Sequence, residues 1–206
     1  MDDKWESRLN KFADTVINIV LLGFITIITS LPIFTIGASV TALIKSMSAY
    51  MFNEEKKVIS VYFETLKKYF KQATLVWVFN IILTACLVLD IAYYFTGNGV
   101  IDVLGATVCA VLLTFLVFEL PMVFVVIEKE METKVFNSIK LALDISFTCF
   151  LRSIFLIVLI FGIPIIIFYI FPSLLLALPG VICYLCLQII PKMLIDYKFK
   201  KGTHLC

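Results

Sequence analysis

Lys45, Asp90, Glu119 and Arg152 are ionisable side chains set within or beside long apolar stretches, and their chemistry needs explaining first. A charge in hydrocarbon is costly unless it finds a partner, a ligand or the interface. Lys45 has two open readings: its long stem snorkels to the headgroups, or it meets a partner or an anionic ligand inside a helix bundle. Glu119 can pair with Lys45 or Arg152, or hold a proton or a cation. Asp90, just before Tyr93 and Tyr94, suits the outer interface, with a ligand contact at the extracellular mouth as the sharper alternative. Arg152 suits a lipid phosphate or a carboxylate at the membrane surface. Asn80 and Gln188 can hydrogen-bond between helices, and neither implies chemistry.

Reactive constellations are scarce. The sole histidine, His204, sits near the end of the sequence, so no histidine–carboxylate metal cluster can be built in the membrane. The sequence contains no G-x-x-x-x-G-K-[ST] loop and no G-x-S-x-G elbow. Asp90 and Glu119 are expected on opposite halves of the membrane, too far apart for an acid–base pair, whose carboxyls lie within ~5–10 Å. Cys183-Tyr184-Leu185-Cys186 matches C-x-x-C, but its apolar setting favours packing over redox or metal chemistry. The expectation is a non-enzymatic chain with no cofactor, no metal and no catalytic residue.

The elements that carry these residues are membrane helices. Hydrophobic residues make up 62% of the 206 and charged residues only 16%, against ~25% in soluble domains. Lipid must cover such a surface. Helix one runs from about 11 to 30. Pro32 follows, and a short returning helix spans 38–52, below the ~20 residues of a comfortable crossing. Further segments fall at 73–95, 104–127, 151–171 and 174–195. Two polar linkers, 53–72 and 128–150, separate them. The whole reads as one all-α polytopic membrane domain of residues 1–206, with five to six membrane segments and two interfacial amphipathic helices.

Basic residues set the expected orientation. Lys4, Arg8 and Lys11 precede helix one. The first linker holds Lys56, Lys57, Lys67, Lys68 and Lys71, the second Lys129, Lys134 and Lys140, and the tail Lys192, Lys198, Lys200 and Lys201. The connections Thr96–Val103 and Pro172–Ser173 have none. Both linkers and both termini therefore belong to the cytoplasm of a cell membrane. This requires 9–52 to cross twice or to enter and return, with a turn near Pro32–Gly37 where Ser39 and Thr41 can satisfy freed backbone groups. Five spans with the N-terminus outside is the alternative. Basic clusters beside apolar runs point to anionic headgroups rather than nucleic acid.

Each linker has an apolar stripe at helical spacing, at 62, 63, 66, 69 and 70 and at Phe136, Ile139, Leu143 and Phe147, which suits helices lying in the interface. Each linker helix precedes two spans. The second span of each pair carries a proline near its inner end, Pro121 and Pro191, which hints at a loose parallel repeat.

The stretch Leu31-Pro32-Ile33-Phe34-Thr35-Ile36-Gly37-Ala38-Ser39-Val40-Thr41-Ala42-Leu43 resembles the signature of the YesL-like family of small bacterial membrane proteins, the domain of unknown function 624. Pro32, Thr35, Gly37, Thr41 and Ala42 match its pattern, whereas Ala38 stands where the family usually has proline. The segment 63–72 looks like the family's aromatic and basic stretch. The resemblance carries over no catalytic residue. It implies an accessory role near a sugar ABC transporter in a Gram-positive bacterium, with transporter subunits as possible partners, beside membrane lipid and a possible homo-oligomer. A small secondary transporter lined by Lys45 and Glu119, or a lipid-organising scaffold, are the alternatives. In the motif itself, Pro32 lacks a donor and Gly37 tolerates φ > 0, which suits a helix break and a tight return, with Thr35 as a cap on the returning helix.

Overall fold

The computed structural model describes residues 3–53, 57–97, 99–129, 135–170 and 177–201. The connection Pro172–Ser173, Lys56, Lys134, His204 and Cys206 lie outside the described residues. Among the described residues seven α-helices follow one another: α1 (Asp3–Thr29), α2 (Ile36–Asn53), α3 (Val58–Tyr94), α4 (Val100–Lys129), α5 (Val135–Thr148), α6 (Phe150–Ile170) and α7 (Leu178–Lys201), with a 3-10 turn at Ile33–Thr35. No strand occurs among the described residues. The fold is all-α. Five helices are long and apolar enough to cross a membrane, or up to six if the bent α5–α6 pair is one span. Those lengths and compositions make this a multi-pass membrane protein.

α2 is the centre of the molecule. It packs against α1, α3, α4 and α7. It is the least apolar of the five candidate spans and the most covered: 61% of its best 18-residue window is buried, against none of the corresponding window within 100–120, which is far more apolar. The inversion follows from lipid as solvent. Helices there associate through close packing of small residues, while large apolar side chains satisfy the lipid. Ala38, Ser39, Thr41, Ala42, Ser46 and Ala49 fill the inside of α2, whereas Phe12, Ile17, Phe24 and Ile28 of α1 point outward.

The break between α1 and α2 is closed by side chains. The Thr35 hydroxyl lies 2.6 Å from the Thr29 carbonyl and 2.7 Å from the Pro32 carbonyl. The Trp77 indole N–H donates to the Ile33 carbonyl at 2.9 Å. Thr35 thus serves the frayed end of α1 and the turn, rather than capping α2 as the sequence pattern suggests. Thr41 donates to the Gly37 carbonyl at 2.9 Å, as expected of it, but the buried Ser39 hydroxyl has no partner among the described residues. Thr29 and Tyr62 bond through their hydroxyls at 2.6 Å, as do Thr15 and Tyr50 at 3.0 Å, pinning α1 to α3 and α2.

One linker expectation needs correction. The first linker is not a separate interfacial helix: it is continuous with the following span in a single helix of 37 residues. At 1.5 Å per residue it is about 55 Å long, well beyond a ~30 Å hydrocarbon core. Its inward row is Val58, Tyr62, Thr65, Tyr69, Ala73, Val76, Asn80 and Leu87, while Phe63 and Phe70 of the expected stripe are exposed. Nothing between 58 and 94 breaks the helix, because the residues there include neither Pro nor Gly. In the second linker, α5 packs along α4 through Ala142, Ile145 and Ser146, and Phe147 is exposed. Phe136 lies outside the residues with described side chains.

α2 lies beside the lysine-bearing half of α3. Its last residue, Asn53, is five positions from Val58, and at its other end a Cβ on Gly37 would come within 2.6 Å of the Ala73 carbonyl and 2.7 Å of the Trp77 Cβ. The α1–α2 break therefore sits near the middle of α3. The second half of α3 and the first half of α4 extend past it as an apolar hairpin whose turn is fastened by the Gly99 N–H on the Asp102 carboxylate, at 2.9 Å.

α5 and α6 meet at 107°. Around the corner Ser146 donates to the Phe118 carbonyl and Ser153 to the Ser146 carbonyl, both at 3.0 Å, and Phe118 stacks on Phe147 and Phe150 at 6.5 and 5.4 Å.

Gly37→Val should strain a contact against backbone that cannot yield, lowering stability by about 1–3 kcal/mol. Gly162→Ala meets only Val158 Cγ1 at 3.8 Å and should be neutral or slightly stabilising. Thermal melting of the detergent-solubilised chain, followed by loss of the monodisperse peak, checks the contrast.

Candidate functional site

Glu119 is the one acidic or basic side chain (Asp, Glu, Lys or Arg) among the described buried residues, at 1% exposure. Helix α4 places it where α3 passes, and the Asn80 amide donates to its carboxyl Oε1 at 3.0 Å. Asn80 is 3% exposed and its Nδ2 also lies 3.4 Å from the Val76 carbonyl, while its Oδ1 has no partner among the described residues. The pair joins the midsections of two helices by a carboxyl-to-amide hydrogen bond, the kind of contact apolar surroundings strengthen. Glu119 thus has Asn80 as its hydrogen-bond partner rather than Lys45 or Arg152.

The other sequence-derived residues lie apart from it. Asp90 is exposed on α3, ten residues and so about 15 Å beyond Asn80, beside the edge-to-face pair Tyr93–Tyr94. Lys45 is half-buried on α2, and Arg152 is half-buried in the first turn of α6; each makes an interaction of its own. Gln188 is exposed. Pro32, Thr35, Gly37, Thr41 and Ala42 are brought together at the break, and their contacts there are helix-to-helix packing and backbone satisfaction. Cys183 and Cys186 are free, buried thiols on α7.

Asn80 makes the interhelical hydrogen bond the sequence suggests for it, but its pairing with Glu119 is not among the expected partnerships. The available signal was mutual: two polar side chains stood in the interiors of consecutive apolar helices, and each needed a partner. No group of three or more His, Cys, Asp or Glu residues able to hold a metal ion occurs among the described residues.

A concavity apart from this pair is apolar. A pocket of about 300 Å³ opens where α1, α2, α3, α4, α6 and α7 converge, with Trp77, Leu120 and Phe124 on one side and Cys183 and Cys186 on the other. It suits hydrocarbon and offers almost nothing to a polar ligand.

The helices and this site define a polytopic helical membrane protein organised around one buried carboxyl–amide pair. Residues 15–91 match the family model described as "Protein of unknown function, DUF624", the family that the Pro32–Ala42 signature resembles. All five signature residues, together with Asn80, fall inside the matched segment. No curated protein and no solved structure matches the chain.

Asn80→Leu should leave the Glu119 carboxyl buried without its donor and cost about 1–3 kcal/mol, whereas Asn80→Leu with Glu119→Leu should recover most of that loss. A double-mutant cycle of thermal or denaturant stability in detergent measures the coupling.

Proposed function

We propose that this chain is a non-enzymatic membrane protein that assists a carbohydrate ABC uptake system in a bacterial cell membrane, docking through the lysine-bearing half of α3. The observation that carries this reading is the unbroken helix Val58–Tyr94. Lys57 precedes it, and Lys67, Lys68 and Lys71 are exposed along it, while Val58, Tyr62, Thr65 and Tyr69 anchor its other side to the core. A helix so anchored loses little side-chain or backbone freedom on binding, which favours association. The ammonium groups complement an acidic surface and steer encounter. The positive-inside count puts this face, both termini and the second linker in the cytoplasm, where ATP-binding subunits of such transporters work. The resemblance to the YesL-like family supplies the carbohydrate connection.

The decisive experiment is a pull-down of the tagged chain from gently solubilised native membranes. Transporter subunits should copurify with the wild type and be lost with Lys67→Glu, Lys68→Glu and Lys71→Glu combined. A cysteine placed at position 68 of a variant lacking the native thiols should react with impermeant maleimide only from the cytoplasmic side. Labelling from outside intact cells would overturn the docking reading.

A second reading, a small secondary transporter, is favoured by the Glu119–Asn80 pair, because a buried carboxyl beside an unsatisfied amide oxygen is what proton- or cation-coupled carriers place between helices. Reconstituted vesicles decide it: Glu119→Gln should abolish gradient-driven uptake, and uptake unchanged by Glu119→Gln and Lys45→Met removes the carrier reading.

A further inference from the structure

The apolar pocket does not end at the centre of the bundle. A second concavity of about 210 Å³ shares Ile44, Leu187 and Ile190 with it and continues to Phe52 and Pro191. The wall residues advance together along α2, from Ile36 to Phe52, and along α7, from Pro179 to Pro191. The two helices therefore run in the same direction, and the wall residues span about 24 Å along α2 and about 18 Å along α7. The walls of this groove are apolar over nearly the whole length, Thr26 and Ser48 being the polar exceptions. Basic residues follow its far end along the sequence. Lys192 follows Pro191 and is exposed, and Lys57 is exposed four residues after Asn53, the end of α2.

We propose that this groove binds one anionic glycerophospholipid, an acyl chain lying between α2 and α7 and the headgroup phosphate at Lys192 and Lys57. Three physical arguments converge on that occupant. A void of this size left empty forfeits the contacts of its entire lining. Water gains nothing there, since a buried water needs two or more polar partners. In a bilayer the abundant apolar filler is an acyl chain, and its phosphate needs positive charge where the hydrocarbon ends. The groove supplies both in the correct order. The site is separate from the Glu119–Asn80 pair and stands whether the chain is an accessory protein or a carrier.

Trp77 lines the pocket and is one of only two tryptophans, which gives a direct probe. The full-length Trp5→Phe variant is reconstituted into phosphatidylcholine vesicles containing a minor fraction of either phosphatidylglycerol or phosphatidylcholine with brominated acyl chains. Trp77 fluorescence should be quenched at an about fivefold lower mole fraction of the brominated phosphatidylglycerol, the factor expected of one lysine at an anionic headgroup. Lys192→Glu lies on the exposed surface and should erase that preference. Cys183→Phe, which fills the pocket, should erase the excess quenching itself. Equal quenching by both lipids in proportion to their mole fraction would show bulk lipid only and overturn the site. So would absence of quenching by either, as when a second copy of the chain covers the groove, or a preference that survives Lys192→Glu.

Discussion

The contact between Gly37 and the backbone of Ala73 is the constraint from which the arrangement follows. The hydrophobic effect gives little reason for one apolar helix to leave lipid for another, so association rests on how closely backbones approach. At Gly37 there is no side chain, and the Ala73 carbonyl and the Trp77 Cβ occupy the space one would need. That approach lets the Trp77 indole reach the Ile33 carbonyl, and it lays the small residues of α2 against α3. α1 and α4 then pack on the same central helix.

Polarity is distributed accordingly. Hydroxyls buried on α1 and α2 mostly bond to carbonyls one turn back, as Thr26 does to Leu22 at 2.7 Å and Ser46 to Ala42 at 2.7 Å. Side chains of that kind satisfy themselves within their own helix and leave small, apolar-like contours for a neighbour. The exceptions carry information between helices. Thr29 reaches Tyr62, Ser146 reaches the Phe118 carbonyl, and Asn80 reaches Glu119. Each joins one helix to another and fixes their relative register, which apolar packing alone defines loosely.

Much of this was legible in the sequence. Long apolar runs and clustered lysines gave the all-α membrane class, the break after helix one and a returning helix from 38 to 52, which the structure extends back to Ile36. Pro32 marked that break through its missing donor, whereas Gly37, expected to supply a left-handed turn, is helical and serves through its missing side chain. The inward face of α3 was harder to read. Tyr62 and Tyr69 of the expected stripe are buried, but Phe63 and Phe70 are apolar yet exposed, and Thr65 and Asn80 are polar yet buried, so hydropathy alone does not mark the inward face. The continuity of 58–94 was missed because a change from basic to apolar composition looks like a boundary, although the backbone meets no residue that would interrupt it. Glu119 stood out as a lone charge, and Asn80 did not, because a neutral amide in a span is unremarkable until its partner's position is known.

The placement of the α1–α2 break beside Trp77 constrains the order in which the chain assembles. Synthesis delivers α1 and α2 first, with Ser39, Thr41 and Ser46 facing a neighbour that does not yet exist. Thr35 can close the break from within this pair, but the donor to the Ile33 carbonyl arrives more than forty residues later, as the indole of Trp77. Until then the first two helices form a hairpin whose small-residue face is open and whose turn carbonyl at Ile33 is unserved. The nascent N-terminal pair is thus held in a provisional arrangement, and the emergence of the middle of α3 from the ribosome commits it to its final one.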